Sequence, residues 1–142
     1  SNLKMNEFQA AMGLCNLPLL DQEIELRKQV ATLYINELSE VQCITVPNFL
    51  DTIEYNYIYF PVLIHEPYSR DLVFNRLKEK GINAKKYFYP LVTDYACYKG
   101  QFDVDLPNSI EIANKVICLP IYGNLSLDDV YYVINELKNA LV

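Results

Sequence analysis

The chain has no tryptophan, a single histidine (His65), no C-x-x-C pair and no apolar run long enough to span a bilayer. Each shortage removes a class of function. One histidine beside four cysteines at positions 15, 43, 97 and 118 gives no ligand-like spacing, so no metal ligand is assigned. The same spacing reads as reduced thiols, which favours a cytoplasmic protein, and without a spanning run no membrane partner is expected. Positive charge is scarce: 12 Lys and Arg stand against 18 Asp and Glu, a net charge of −6. Nucleic acid is therefore not an expected partner, because phosphate binding needs clustered cations. The only basic pairs are Arg27-Lys28 and Lys85-Lys86. Repeats, low-complexity tracts and flexible linkers are also missing. What is present is ordinary globular composition, 51% hydrophobic over 142 residues, enriched in tyrosine.

Residues 5–16 read as a helix that Pro18 interrupts or kinks, since proline lacks the amide N–H a helix needs. Residues 21–38 follow as a second helix, with Ile24, Val30, Leu33, Tyr34 and Leu38 as one apolar stripe. Residues 43–46 and 56–64 read as strands, the second rich in aromatic and branched β-formers. Ser69 is a good N-cap for a helix with Leu72, Val73, Phe74 and Leu77 as its apolar face, ended by Gly81 in the left-handed conformation. Residues 82–88 read as a strand and 91–106 as an irregular polar-aromatic loop. A short helix over 108–114, a strand over 116–119 and a last helix capped by Ser126 complete the chain. In that last helix Val130, Val133, Ile134, Leu137 and Leu141 form the buried face. Several connections are too short for parallel crossovers. The order predicts an α+β fold, a small, mostly antiparallel sheet with helices packed on one side.

The opening stretch, Asn2-Leu3-Lys4-Met5-Asn6-Glu7-Phe8-Gln9-Ala10-Ala11-Met12-Gly13, places polar groups first and a small apolar helical run directly after them. That order suits a chain leaving a ligand site and entering a helix. It closely resembles the N-x-[RK]-M-x-E-x-Q-A-A-x-G signature of the DegT/StrS family of sugar aminotransferases, which use pyridoxal phosphate (PLP). Three further segments follow in the family's order. They are Ala84-Lys85-Lys86-Tyr87-Phe88-Tyr89-Pro90-Leu91, the Asp94-Tyr95-x-x-Tyr98 loop, and Ala113-Asn114-Lys115-Val116-Ile117-Cys118-Leu119-Pro120-Ile121-Tyr122. Each alone is moderately specific; four in order cover nearly the whole chain. The resemblance implies that residues 1–142 form a single C-terminal domain, as in fold-type-I PLP enzymes. Residues 1–39 would then be a long interrupted helix leading in from a preceding PLP-binding domain.

Residue by residue, Asn2 matches the family asparagine that reaches across a homodimer to the PLP phosphate. Its amide can donate to a phosphate oxygen; the other reading is a frayed terminus. Lys4 occupies the family's Arg/Lys position, where it either holds an anionic group or is solvated. Lys85 and Lys86 alternate along a strand, so at most one of them faces a diphosphate. On that alternation Lys85 shares a face with Tyr87 and Tyr89, with Phe88 opposite. The resemblance puts this segment near the sugar, where Tyr87 and Tyr89 stack on or bond a sugar or base; core aromatics with wet hydroxyls are the alternative. The substrate-binding candidates are thus Lys4, Lys85, Tyr87 and Tyr89, and Asn2 is the cofactor-binding candidate. His65, beside Glu66-Pro67, reads as a surface residue without a catalytic part.

In that family the Schiff-base lysine and the acid facing the pyridinium nitrogen lie in the large domain. No catalytic residue is therefore assigned, and the chain alone is expected neither to transaminate nor to hold PLP. The resemblance implies a parent enzyme that transfers an amino group, with glutamate as the expected donor, to a nucleotide-linked keto-sugar. The alternative class is a non-enzymatic small-molecule sensor or a dimerisation domain, because fold does not fix function.

Overall fold

The computed structural model describes residues 4–101 and 104–141. Helix α1 spans Glu7–Asn16 and starts at a reciprocal cap. Asn6 Oδ1 accepts from the Gln9 amide at 2.9 Å, and Gln9 Oε1 accepts from the Asn6 amide at 3.0 Å. Two amides that a helix start leaves orphaned are thereby satisfied. Two polar positions of the opening signature thus have a local structural task. Pro18 converts the next residues into one 3-10 turn, Leu17–Leu19, and α2 then runs over Leu20–Leu38. Along α2, Val30, Ala31, Tyr34 and Leu38 are buried, whereas α1 buries nothing.

The sheet has three antiparallel strands in the order β1 (Ile44–Thr45), β2 (Phe60–Ile64) and β3 (Val116–Leu119). β1 and β2 are shorter than the residue pattern predicts. A strand extends only as far as a neighbour accepts its N–H and C=O groups. β3 pairs with Phe60 through Leu63, and β1 pairs with Leu63 and Ile64. Upstream of Phe60, Tyr57 takes a φ of +49° and Asn56 Oδ1 accepts from the Ile58 amide at 3.1 Å. That side-chain turn replaces the strand expected over 56–59.

Residues 82–88 need a larger correction. Only Lys85 joins the sheet, exchanging two hydrogen bonds with Cys118 at 3.0 and 2.7 Å. The Tyr89 amide then bonds back to the Lys86 carbonyl at 2.8 Å, and the chain turns. The alternation expected over Lys85, Tyr87 and Tyr89 fails for that reason.

Helix α3 covers Arg70–Glu79. Ser69 holds its N-cap position but makes no side-chain capping bond. At the other end Gly81, with φ +76°, lets the Ile82 amide reach the Leu77 carbonyl at 3.0 Å, a closing motif that needs a left-handed residue. Helix α4 (Pro107–Lys115) runs straight into β3, and α5 (Leu127–Asn139) starts where Ser126 Oγ accepts from the Asp129 amide at 3.1 Å.

Alternation in β2 sends Phe60, Val62 and Ile64 towards the helices, and Ile117 and Leu119 of β3 join them. They meet Tyr34 and Leu38 of α2, Val73 and Leu77 of α3, and Val130, Ile134 and Leu137 of α5 in one cluster. The fold is therefore α+β, with an antiparallel sheet and its helical layer sharing one core. Tyr34 lies at its centre, 4.9 Å from the Phe60 ring, and its hydroxyl donates to the Pro120 carbonyl at 2.9 Å. Burial, helped by Tyr122, holds that phenol protonated far above its ordinary range.

Leu137 and Val133 occupy the buried side of α5, and Asn135 is exposed. Leu137→Ala should lower stability by roughly 2–5 kcal/mol, the range for a core leucine truncation. Asn135→Ala should change it by less than about 0.5 kcal/mol. Urea unfolding of both variants checks this; equal midpoint shifts would contradict the assigned face.

Candidate functional site

The pairing of Lys85 with Cys118 brings two of the sequence segments singled out above, 84–91 and 113–122, side by side. Below their junction lies a cleft of about 550 Å³. Leu119, Ile121, Leu125 and Val133 give it apolar walls, and Lys85, Tyr59, Tyr87, Tyr122 and Tyr132 supply its larger polar groups. Few polar groups on an apolar lining is the usual anatomy of a small-molecule site.

Some of those polar groups are already engaged. The Tyr132 hydroxyl donates to the Lys80 carbonyl at 3.1 Å, and Asp129 accepts from Ser126 Oγ at 2.6 Å. The Lys85 ammonium has no carboxylate within ion-pair range among the described residues, and Lys85 is exposed. At the rim three rings cluster. Tyr59 and Tyr87 meet edge-on at 5.3 Å, and Tyr87 stacks on Phe88 at 5.3 Å. An ammonium beside phenol faces suits an anionic group attached to a sugar or a base. Behind the rim Cys118 is buried, and burial raises its thiol pKa, so it is no ready nucleophile.

The candidates are distributed as follows. Lys85 and Tyr87 share the cleft. Tyr89 lines a second hollow of about 530 Å³ with Phe74, Lys78, Lys85 and Lys86. Lys4 is exposed ahead of α1 and lines neither hollow. Asn2 lies outside the described residues. His65 is half buried at the end of β2, its Nε2 2.8 Å from Thr45 Oγ1. A third hollow, about 590 Å³, lies between α2 and residues 49–57. Asp21, Glu25, Asp51 and Glu54 line it against Lys28 alone, the wrong sign for an anionic ligand.

Two residues that sequence reasoning missed organise the segment carrying Lys85. Arg70 is buried, 5% exposed. Its Nη1 donates to the Ala113 carbonyl at 2.9 Å and the Val116 carbonyl at 3.3 Å, and its guanidinium lies 4.5 Å from the centre of the Tyr89 ring. Its Nε stands 2.6 Å from Asp71 Oδ1, close but not aligned for a hydrogen bond. Asp71 also takes the Lys86 ammonium, which sits 4.5 Å over the Phe74 ring. One signal was available in the sequence. A cation in the first turn of a helix opposes the helix dipole, so Arg70 needed a partner elsewhere.

Comparison with known proteins follows the same segments. The sequence profile described as the DegT/DnrJ/EryC1/StrS aminotransferase family matches residues 1–138. The chain is 36% identical over 141 residues to a dTDP-4-amino-4,6-dideoxy-D-glucose transaminase of Shigella dysenteriae, covering 97% of this chain and 38% of that protein. It is 40% identical over 131 residues to the transaminase of the same name from Escherichia coli, covering 88% of this chain and 35% of that one. The chain thus spans little more than a third of these relatives. Its fold matches the crystal structure of DesI in the presence of its TDP-sugar product, with a TM-score of 0.89 and 29% identity over 95% of this chain and 35% of that chain.

The Lys86 contact, with the Arg70 and Lys86 charges behind it, holds the Asp71 carboxyl below the ordinary aspartate range. A depressed pKa means a stabilising contribution that is present above the unfolded value, about 3.9, and lost as pH falls through the folded one. Lys86→Ala should move the Asp71 titration, followed by carboxyl-detected NMR, upward towards that ordinary value. An unmoved titration would mean that Lys86 is not its main partner.

Proposed function

The chain belongs to the DegT/DnrJ/EryC1/StrS aminotransferase family, and we propose that, at the length of its relatives, the protein is a PLP-dependent transaminase. It moves an amino group from glutamate to a keto-sugar carried on a nucleotide. One observation carries the reading: the 84–91 segment, which resembles the family's sugar-side motif, meets the family-like 113–122 segment at the Lys85–Cys118 pairing, and residues of both line one cleft. The names of the relatives support it, since they act on dTDP-linked sugars or, for DesI, were solved with a TDP-sugar.

In this reading residues 4–141 contribute a substrate wall. Lys85 offers a positive charge to the diphosphate, and Tyr87 with Tyr59 offers faces and hydroxyls to the sugar or base. A PLP holder needs several donors for its phosphate, an amine free to form an imine and an acid for its ring nitrogen. The cleft has one lysine, and its one carboxylate, Asp129, is engaged with Ser126. The lining of this cleft does not offer that donor set, which supports a part on the substrate side for this face. Residues 1–39 then lead in from a PLP-binding domain, Asn2 reaches the PLP phosphate across a homodimer, and the enzyme works in the cytoplasm.

The test uses the full-length protein, read by visible absorbance of bound PLP and by amine transfer from glutamate to a dTDP-linked 4-keto-sugar. Lys85→Ala should raise KM for the sugar nucleotide by about one to two decades, the loss of one charged contact of roughly 1.5–3 kcal/mol. Asn2→Ala should weaken PLP retention by a similar factor and leave turnover at saturating PLP intact. Ligand binding without turnover would instead favour a sensor, and absence of PLP absorbance would remove the enzyme reading.

A further inference from the structure

Lys85 and Lys86 are sequence neighbours of equal charge and both line the second hollow, yet only Lys85 also lines the cleft. We propose that Arg70 and Asp71 are positioning residues that select Lys85 for the substrate side by capturing Lys86 and Tyr89 on the other. The proposal rests on reading the cleft as a sugar-nucleotide wall.

Asp71 by itself cannot choose, because a carboxylate accepts either ammonium equally well. Choice requires that the register of residues 85–89 be fixed by other contacts. Arg70 supplies them. Its guanidinium is tied to the carbonyls of Ala113 and Val116, on either side of the α4–β3 junction. β3 in turn pairs with the Lys85 backbone through Cys118. Tyr89 covers the free face of the guanidinium at 4.5 Å, and Lys86 reaches Asp71 over the Phe74 ring. The contacts close a circuit: Asp71 to Lys86, along the chain to Lys85, across to β3, and back through Val116 to Arg70. A slip of one residue would take Tyr89 off Arg70 and put Lys86 where Lys85 stands, since register decides which side chain faces which way. Arginine suits the post, because its planar fork bonds two carbonyls and still presents a face to a ring.

Two measurements test this. In the 142-residue chain, brief reductive ¹³C-methylation followed by NMR should label Lys85 several-fold faster than Lys86. Asp71→Asn should bring the two rates within about twofold, and Asp71→Glu should restore the contrast. In the full-length protein, Asp71→Asn and Lys86→Gln should each raise KM for the sugar nucleotide roughly three- to tenfold, leaving kcat within about twofold. The double variant should be no worse than either single one, as expected for residues acting through one contact. An unchanged labelling contrast in Asp71→Asn, or additive effects in the double variant, overturns the proposal. If Lys85→Ala raises KM but Asp71→Asn does not, the positioning role fails and the cleft reading stands. If Lys85→Ala leaves KM unchanged, the cleft reading fails and takes this proposal with it.

Discussion

Taking a guanidinium out of water costs several kcal/mol unless its donors are met, and Arg70 is buried at the junction of three elements. Two carbonyls on Nη1, the Asp71 carboxylate 2.6 Å from Nε and an aromatic face stand against that demand. The arrangement constrains what lies around it. α3 must start where the α4–β3 junction exposes carbonyls, and β3 must follow α4 without a loop, as it does at Lys115–Val116. The one-residue sheet edge at Lys85 then depends on where β3 lies. A hydrophobic residue at position 70 could fill the same space but would leave Tyr89 without a cation to cover. On the positioning role proposed above, what the charge contributes is placement of the 85–89 segment.

α1 shows the opposite condition. Its cap is complete, yet Phe8 is 85% exposed, and Met5, Met12, Leu14 and Leu17 also face outward. A ten-residue helix is marginal in water without an apolar face to pack. Exposed apolar side chains gathered on one helix are the kind of surface that contacts between proteins or domains use.

Much of the fold was legible because helices are local. The stripe of α2, the Gly81 stop of α3 and the buried face of α5 all follow from residues within a few turns of one another. Strands are not local. The aromatic and branched residues of 56–64 favour extension, but the neighbours accept only Phe60 onward. Residues 82–88 carry the same composition and receive a single pairing. The site divides along the same line. Lys85 and Tyr87 were visible through a linear motif, whereas Arg70 acts on residues 43 and 46 positions away, which no window of sequence joins.

The charges of the 85–89 segment set the electrostatics of the candidate cleft. In a chain of net charge −6, most cations near the cleft are already neutralised: Lys80 by Glu136, Lys86 by Asp71. Lys85 is left without a carboxylate partner among the described residues, a positive point on the cleft wall. Yet a charge, a few phenols and a buried thiol provide no activated nucleophile and no poised base. The role proposed above accordingly asks this wall only to bind and orient, with the reacting groups of the proposed enzyme supplied from outside the cleft.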